Sequence, residues 1–191
     1  NNLQVISSLI NLQADTLQEP AVRASLVELR DRVRTMALVH EKLYESQDFA
    51  RMNFADYAAS LLGYLWRAHS PVGTQVRLIQ AAEPLGLPLD LAVPCGLILN
   101  ELAINTLKHA FKGRSDGEVR FSLSQNSATG RIAMAVSDNG GGLPAGFDWR
   151  TADTLGLRLV RVLAQQIHGD VEAGPGPGTQ FRIAFPIPPA S

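Results

Sequence analysis

The 191 residues exceed an average domain by about a third, enough for one sizeable core with an appended element. Seventeen Lys and Arg against 18 Asp and Glu leave a formal charge of −1, which argues against a polybasic nucleic-acid or lipid-binding surface. The single cysteine, Cys95, excludes an internal disulfide or a Cys-based metal site and fits a reducing compartment, and the longest apolar run, residues 91–99, is half a bilayer span and contains Pro94 and Gly96.

The chain opens Asn1-Asn2-Leu3 without Met and passes straight into an amphipathic pattern, which reads as a fragment entered inside a helix. Leu3, Ile6, Ile10 and Leu17 keep a register through Gln13 in steps of three and four. Beyond Gln18-Glu19-Pro20, with Pro20 read as the turn, Leu26, Leu29, Val33, Met36, His40 and Leu43 repeat the alternation. Such steps over more than two heptads define a narrow coiled-coil seam. Two helices with one seam each cannot enclose a core, so the expectation is a homodimer whose two hairpins form a four-helix bundle. A hairpin packed on its own chain is the alternative. From Asn53, a good N-cap, Phe54, Tyr57, Leu61 and Leu65 repeat on one helical face until Ser70-Pro71. Residues 76–79 then read as a short strand, 83–88 as turns, 90–111 as a long helix, 119–123 and 132–136 as strands, 155–167 as a helix and 181–185 as a last strand. The expected fold class is α+β: a helical hairpin over residues 1–52, followed by an α/β sandwich over 53–191.

Glu101, Asn105, Lys108 and Lys112 form one stripe of the long helix, with Leu99, Leu102, Ala103, Leu107 and Ala110 opposite. Alone, the stripe reads equally as a solvated face. In Asp138-Asn139-Gly140-Gly141-Gly142 an acid at a strand end precedes glycines that permit a sharp turn and the approach of a flat ligand. A carboxylate there can accept a hydrogen bond from the exocyclic amine of an adenine. Alone, this run reads equally as a hairpin turn. Nine of the 16 glycines lie from Gly140 to Gly178, marking the stretch where backbone is expected to meet a ligand. Thr154-Leu155-Gly156-Leu157 opens a helix whose free N–H groups suit phosphate. Gly174, Gly176 and Gly178 alternate with prolines before Thr179-Gln180-Phe181. This run enters a strand, whereas a dinucleotide fingerprint opens a helix, and no G-x-x-x-x-G-K-[ST] occurs.

In order, N-E-L-A-I-N-T-L-K-H-A-F at 100–111, D-N-G-G-G-L-P at 138–144, L-G-L at 155–157 and G-T-Q-F at 178–181 resemble the N, G1 and G2 boxes and closing G-T-x-F of the gyrase, chaperone and histidine kinase ATPase superfamily. N-N-L-Q-V-I-S-S-L-I-N-L-Q from Asn1 and R-V-R-T-M-A-L-V-H-E-K-L-Y from Arg32 are similar to the dimerisation hairpin of the bacterial two-component sensor histidine kinases whose phosphoacceptor motif reads H-R-V-K-N-N-L-Q. The resemblance spans Asn1 to about Pro186. It implies Mg-ATP as the cofactor, with Asn105 as the Mg²⁺ ligand, Lys108 at the phosphates and Glu101 as the catalytic acid. Asp138 would read the adenine, supported by the Thr179 hydroxyl. Gly140 and Gly142 would admit base and ribose, Gly156 and Leu157 would serve the phosphates, and Gly178 would close the site. His109 would either contact phosphate or cap a packing layer.

The resemblance also implies transfer of the γ-phosphoryl group to a histidine four residues before Asn1, then to an aspartate of a response-regulator receiver domain. It further implies an upstream sensory domain and a cytoplasmic location for this portion. His40, followed by Glu41 as acceptors often are, sits in the seam and reads as a packed structural histidine, while His69 and His168 read as helix-end residues. The dozen residues between Gly142 and Leu155 form a short lid, expected to be loosely ordered without ATP. Two other readings share parts of the pattern. A histidine phosphotransferase adaptor keeps the architecture without the glycine boxes, and a serine kinase that sequesters a sigma factor needs no heptad hairpin.

Overall fold

A computed structural model describes residues 2–45, 51–70, 73, 75–174 and 178–187. Asn1, Pro71 and Gly176, used above, lie outside the described residues.

The hairpin consists of α1 (Asn2–Thr16) and α2 (Pro20–Glu45). Pro20 is the first residue of α2 instead of the turn, since its fixed φ and missing N–H suit a first helical position. Along α1, Ala14 is buried and Leu3 and Ile10 are half-buried, as is Leu17 just beyond it, so the expected seam is used only in part against α2 within the chain: Ile6 and Gln13, which belong to it, are exposed. On α2 the inward face differs from the expected one. Asp31, Thr35, Ala37 and Val39 are buried, whereas Leu29 of the expected seam is exposed. That face packs on α3 (Phe54–His69) and α4 (Leu89–His109), as the intramolecular alternative required. A second apolar stripe on α1, Val5, Leu9 and Leu12, stays exposed.

Asn53 caps α3, its side chain accepting the Ala55 N–H at 3.1 Å, and Phe54, Tyr57, Leu61 and Leu65 are fully buried below it. A two-residue strand β1 (Met52–Asn53) pairs with β3 (Gly86–Leu87), clasping the entry of α3 to the entry of α4. The main sheet has five strands in the order β2 (Gln75–Ala82), β4 (Asp116–Gln125), β5 (Ile132–Asp138), β7 (Gln180–Phe185), β6 (Asp170–Gly174). β2 and β4 run parallel and the other pairs antiparallel, so the sheet is mixed. Alternate residues of the central strands, Val119, Phe121 and Leu123, then Ile132, Met134 and Val136, then Phe181, Ile183 and Phe185, face one core shared with α3, α4 and α5 (Leu155–Gln166).

The result is a helix layer on a mixed sheet, with α4 at its centre. By length and composition α4 could cross a membrane, but 78% of its apolar window is buried inside this fold, as in the core helix of a sandwich. Close packing explains one glycine there: a Cβ at Gly96 would run into the Tyr57 ring from α3.

Candidate functional site

The C-terminal half of α4, the loop after β5, the start of α5 and the entry to β7 surround a cavity of about 570 Å³. Its size is typical of small-molecule sites. Asp138 ends β5, and one oxygen holds two segments. Oδ1 accepts the Gly140 N–H at 2.9 Å and the Thr179 N–H at 3.1 Å, while the Asp138 N–H donates to the Thr179 carbonyl at 2.9 Å. Oδ2 accepts no hydrogen bond among the described residues, and the half-buried Asp138 lines the cavity. The link from Thr179 is therefore made by its main chain, not by the expected hydroxyl.

The glycines divide into two kinds. Gly142, with φ of +74°, and Gly156 line the cavity. Gly140 and Gly178 do not line it and act through close approach of backbone. A Cβ at Gly140 would overlap the carbonyl of Ala110, whose oxygen accepts the Gly141 N–H at 3.0 Å, so this glycine seats the loop on the end of α4. A Cβ at Gly178 would collide with the carbonyl and carboxylate of Asp138. Gly140 thus serves loop packing, a role the sequence did not announce.

On α4, Glu101, Asn105, Lys108 and His109 all line the cavity, as does Leu157 of α5, with Val136 and Phe181 supplying apolar wall. The Asn105 side chain makes no hydrogen bond among the described residues and lines the cavity, so its carboxamide oxygen is available. A neutral oxygen suits a hard cation that must also meet phosphates, and the donor set therefore fits Mg²⁺. No group of three His, Cys, Asp or Glu among the described residues could hold a metal, so such an ion would be completed by phosphate and water. Burial, then Lys112 and Lys108, push the His109 imidazole below its ordinary value of 6.5, so it is neutral at pH 7.

The second half of the lid is anchored to the rest of the fold. Trp149 packs edge-on to Phe181 at 5.6 Å, and Arg161 donates to the carbonyls of Trp149 at 2.8 Å and Ala152 at 2.9 Å. Leu143 and Phe147 near the start of the lid are exposed.

Two histidines resolve plainly. His40 is half-buried on α2 and does not line the cavity. His69 is more than a helix-end residue: its Nε2 lies 2.7 Å from Oδ2 of Asp31, a fully buried carboxylate also bound by Arg30 at 3.0 Å and the Tyr64 hydroxyl at 3.1 Å.

Sequence reasoning missed Glu28 and Arg32 of α2. Arg32 donates from Nε to Glu101 Oε1 at 2.8 Å and from Nη2 to Oε2 at 2.9 Å, and Lys108 Nζ donates to Glu28 Oε1 at 2.5 Å. These partners lie 69 and 80 positions apart, and the only local signal was an acid and a base one helical turn apart on α2.

Residues 1–69 match the family model described as "Histidine kinase", and residues 92–189 match that described as "Histidine kinase-, DNA gyrase B-, and HSP90-like ATPase". The chain is 31% identical over 193 residues to the Sensor histidine kinase PdtaS of Mycolicibacterium smegmatis, covering 98% of this chain and 38% of that protein. It is 30% identical over 194 residues to the Blue-light-activated histidine kinase 2 of Erythrobacter litoralis, covering 98% and 54%. The chain thus spans about half or less of these relatives. Among solved structures, the histidine kinase domain of the Erythrobacter litoralis EL346 blue-light activated histidine kinase aligns with a TM-score of 0.77 at 26% identity, covering 98% of this chain and 86% of that one.

Proposed function

Since this chain belongs to the bacterial two-component sensor histidine kinases, with an ATPase domain of the kind shared with DNA gyrase B and HSP90, we propose that it is a kinase core that binds Mg-ATP. Residues 1–52 form the dimerisation and phosphotransfer hairpin and residues 53–191 the catalytic domain. The γ-phosphoryl group passes to a histidine upstream of Asn1, and then to an aspartate on a response-regulator receiver domain. On this reading the 191-residue chain binds nucleotide. Its location is cytoplasmic, and an upstream sensory domain controls it.

Phosphoryl transfer needs positioning and charge neutralisation more than covalent help. The free Oδ2 of Asp138 accepts the adenine amine between apolar walls at Val136 and Phe181. Lys108 holds phosphate charge as a compact ammonium. Bound with the nucleotide, Mg²⁺ neutralises phosphate charge, with Asn105 as its protein ligand. Glu101 accepts the N–H of the attacking imidazole, so that the other ring nitrogen faces phosphorus. A nitrogen–phosphorus bond forms as the bond from the γ-phosphorus to the bridging oxygen breaks, and ADP leaves. The second copy of a homodimer covers the exposed Val5, Leu9 and Leu12 of α1, a stripe at heptad spacing.

The convergence of Asn105, Lys108, Asp138 and Thr179, from separate stretches of chain, on one cavity carries this reading. Calorimetry with Mg²⁺ and a non-hydrolysable ATP analogue tests it. The wild-type chain is expected to bind, and Asp138→Asn to weaken binding about tenfold or more, the value of a lost charged hydrogen bond. No heat at millimolar analogue would instead favour a phosphotransfer adaptor.

A further inference from the structure

We propose that Glu28 and Arg32, on the return helix of the hairpin, gate the nucleotide site: Glu28 competes with the nucleotide's phosphates for Lys108, and Arg32 keeps Glu101 from the attacking group. Triphosphate binding and docking of α2 therefore oppose each other. The inference rests on the nucleotide reading of the cavity.

The geometry at Glu101 leaves little room for a second partner. Its two oxygens are taken by one guanidinium in a bidentate pair, and Oε1 also accepts the Asn100 side-chain N–H at 3.1 Å. Both side chains are nearly withdrawn from solvent, with 11% and 7% exposed. Gly156 backs the other oxygen so closely that a Cβ there would stand 2.7 Å from Oε2. An imidazole that uses this carboxylate must first displace Arg32.

At the phosphate end the conflict is one of charge. Glu28 lines the cavity, and its carboxylate holds the same ammonium that would meet phosphate. Lys108 cannot neutralise both, and a triphosphate drawn to it would face the Glu28 carboxylate at close range.

The two contacts are mechanically one. Glu28 and Arg32 are 3.8 Å apart across one turn of α2, and Glu101 and Lys108 lie two turns apart on the same side of α4. Lys108, Glu28, Arg32 and Glu101 thus form a row of alternating charge between two helices. A single displacement of α2 from α4 breaks both ion pairs, freeing the phosphate-binding amine and the catalytic carboxylate together. Nucleotide that captures Lys108 removes one of the two pairs and exposes Glu28 to repulsion, which favours that displacement.

The test uses the 191-residue chain with Mg²⁺ and two probes, a non-hydrolysable ATP analogue and adenosine. Calorimetry of Glu28→Gln is expected to show about three- to tenfold tighter binding of the ATP analogue than wild type, with adenosine within about twofold. In the wild-type chain, hydrogen exchange of the amides in residues 28–39 is expected to quicken with the ATP analogue and not with adenosine. Unchanged or weaker binding of the analogue by Glu28→Gln, or slower exchange in α2 on adding it, would overturn the gate while leaving the nucleotide site intact. Failure of the wild-type chain to bind either probe would overturn both readings.

Discussion

Asp138 organises the site through one oxygen and, on the proposed reading, accepts the adenine amine with the other. Because Oδ1 is committed to the N–H groups of Gly140 and Thr179, the carboxylate cannot turn away from the cavity. Gly178 sets the distance at which this works, since any side chain there would strike Asp138. Gly178→Ala is therefore expected to cost about tenfold or more in affinity for an ATP analogue, read by calorimetry, with a smaller fall in Tm than a core truncation gives. Asp31 is a second organising acid, between the hairpin and the sandwich. Burial pushes its pKa up, but the hydrogen bonds and charges of His69 and Arg30 outweigh that and hold it below its ordinary 3.8. On acidification the unfolded chain takes up this proton first. The stabilisation is thus complete above about pH 4 and lost as pH falls through the folded value. Asp31→Asn is expected to lower stability by about 2 kcal/mol at pH 7 and to flatten its acid dependence, as checked by urea unfolding at pH 7 and pH 3.5. At this scale the sequence disclosed residue types at the site but not their bonds. Thr179 acts by its backbone, which no side chain announces, and the partner of His69 lies 38 positions earlier.

Among the elements, α4 carries the most constraint. It presents cavity residues on one side, meets α2, α3 and α5 on others, and has 15 buried residues in 21. Gly96 lets Tyr57 lie against it, with the hydroxyl and Cζ nearest the position a Cβ would take. Gly96→Ala is expected to destabilise the chain by about 1–3 kcal/mol, and Tyr57→Phe to recover part of that loss in the double variant, a coupling that thermal unfolding of the four species measures. The helices and central strands were legible because they alternate apolar residues at helical or strand period. β6 was not: Asp170–Gly174 is a short edge strand with one bulky apolar residue, Val171, and its pairing with β7 comes from the sheet, not from its own pattern. The α2 face was misread for a related reason. Its inward residues include Asp31 and Thr35, polar groups buried with partners on other elements, which a hydrophobic seam cannot reveal.

For the whole molecule, the hairpin has two apolar obligations. One side of α1 packs on α2, α2 packs on α3 and α4, and the Val5, Leu9 and Leu12 stripe stays exposed, where the proposed second copy would pack. Leu9→Glu, on a position 60% exposed within the chain, is expected to convert a dimer into a folded monomer by equilibrium sedimentation, with an unchanged circular dichroism spectrum. The site's motifs were readable from the sequence because the glycine turns and the N-box stripe are local. The arrival of Glu28 and Arg32 was not, since it depends on how two separately readable parts pack together. The most direct test of a nucleotide site at the Asp138 end of the sheet is a ¹H–¹⁵N correlation spectrum of the chain titrated with Mg²⁺ and an ATP analogue. Saturable shifts are expected at the amides of Gly140, Gly142, Gly156 and Thr179, with a midpoint about tenfold or more higher in Asp138→Asn. A titration to millimolar analogue that leaves those four amides unmoved would contradict the account.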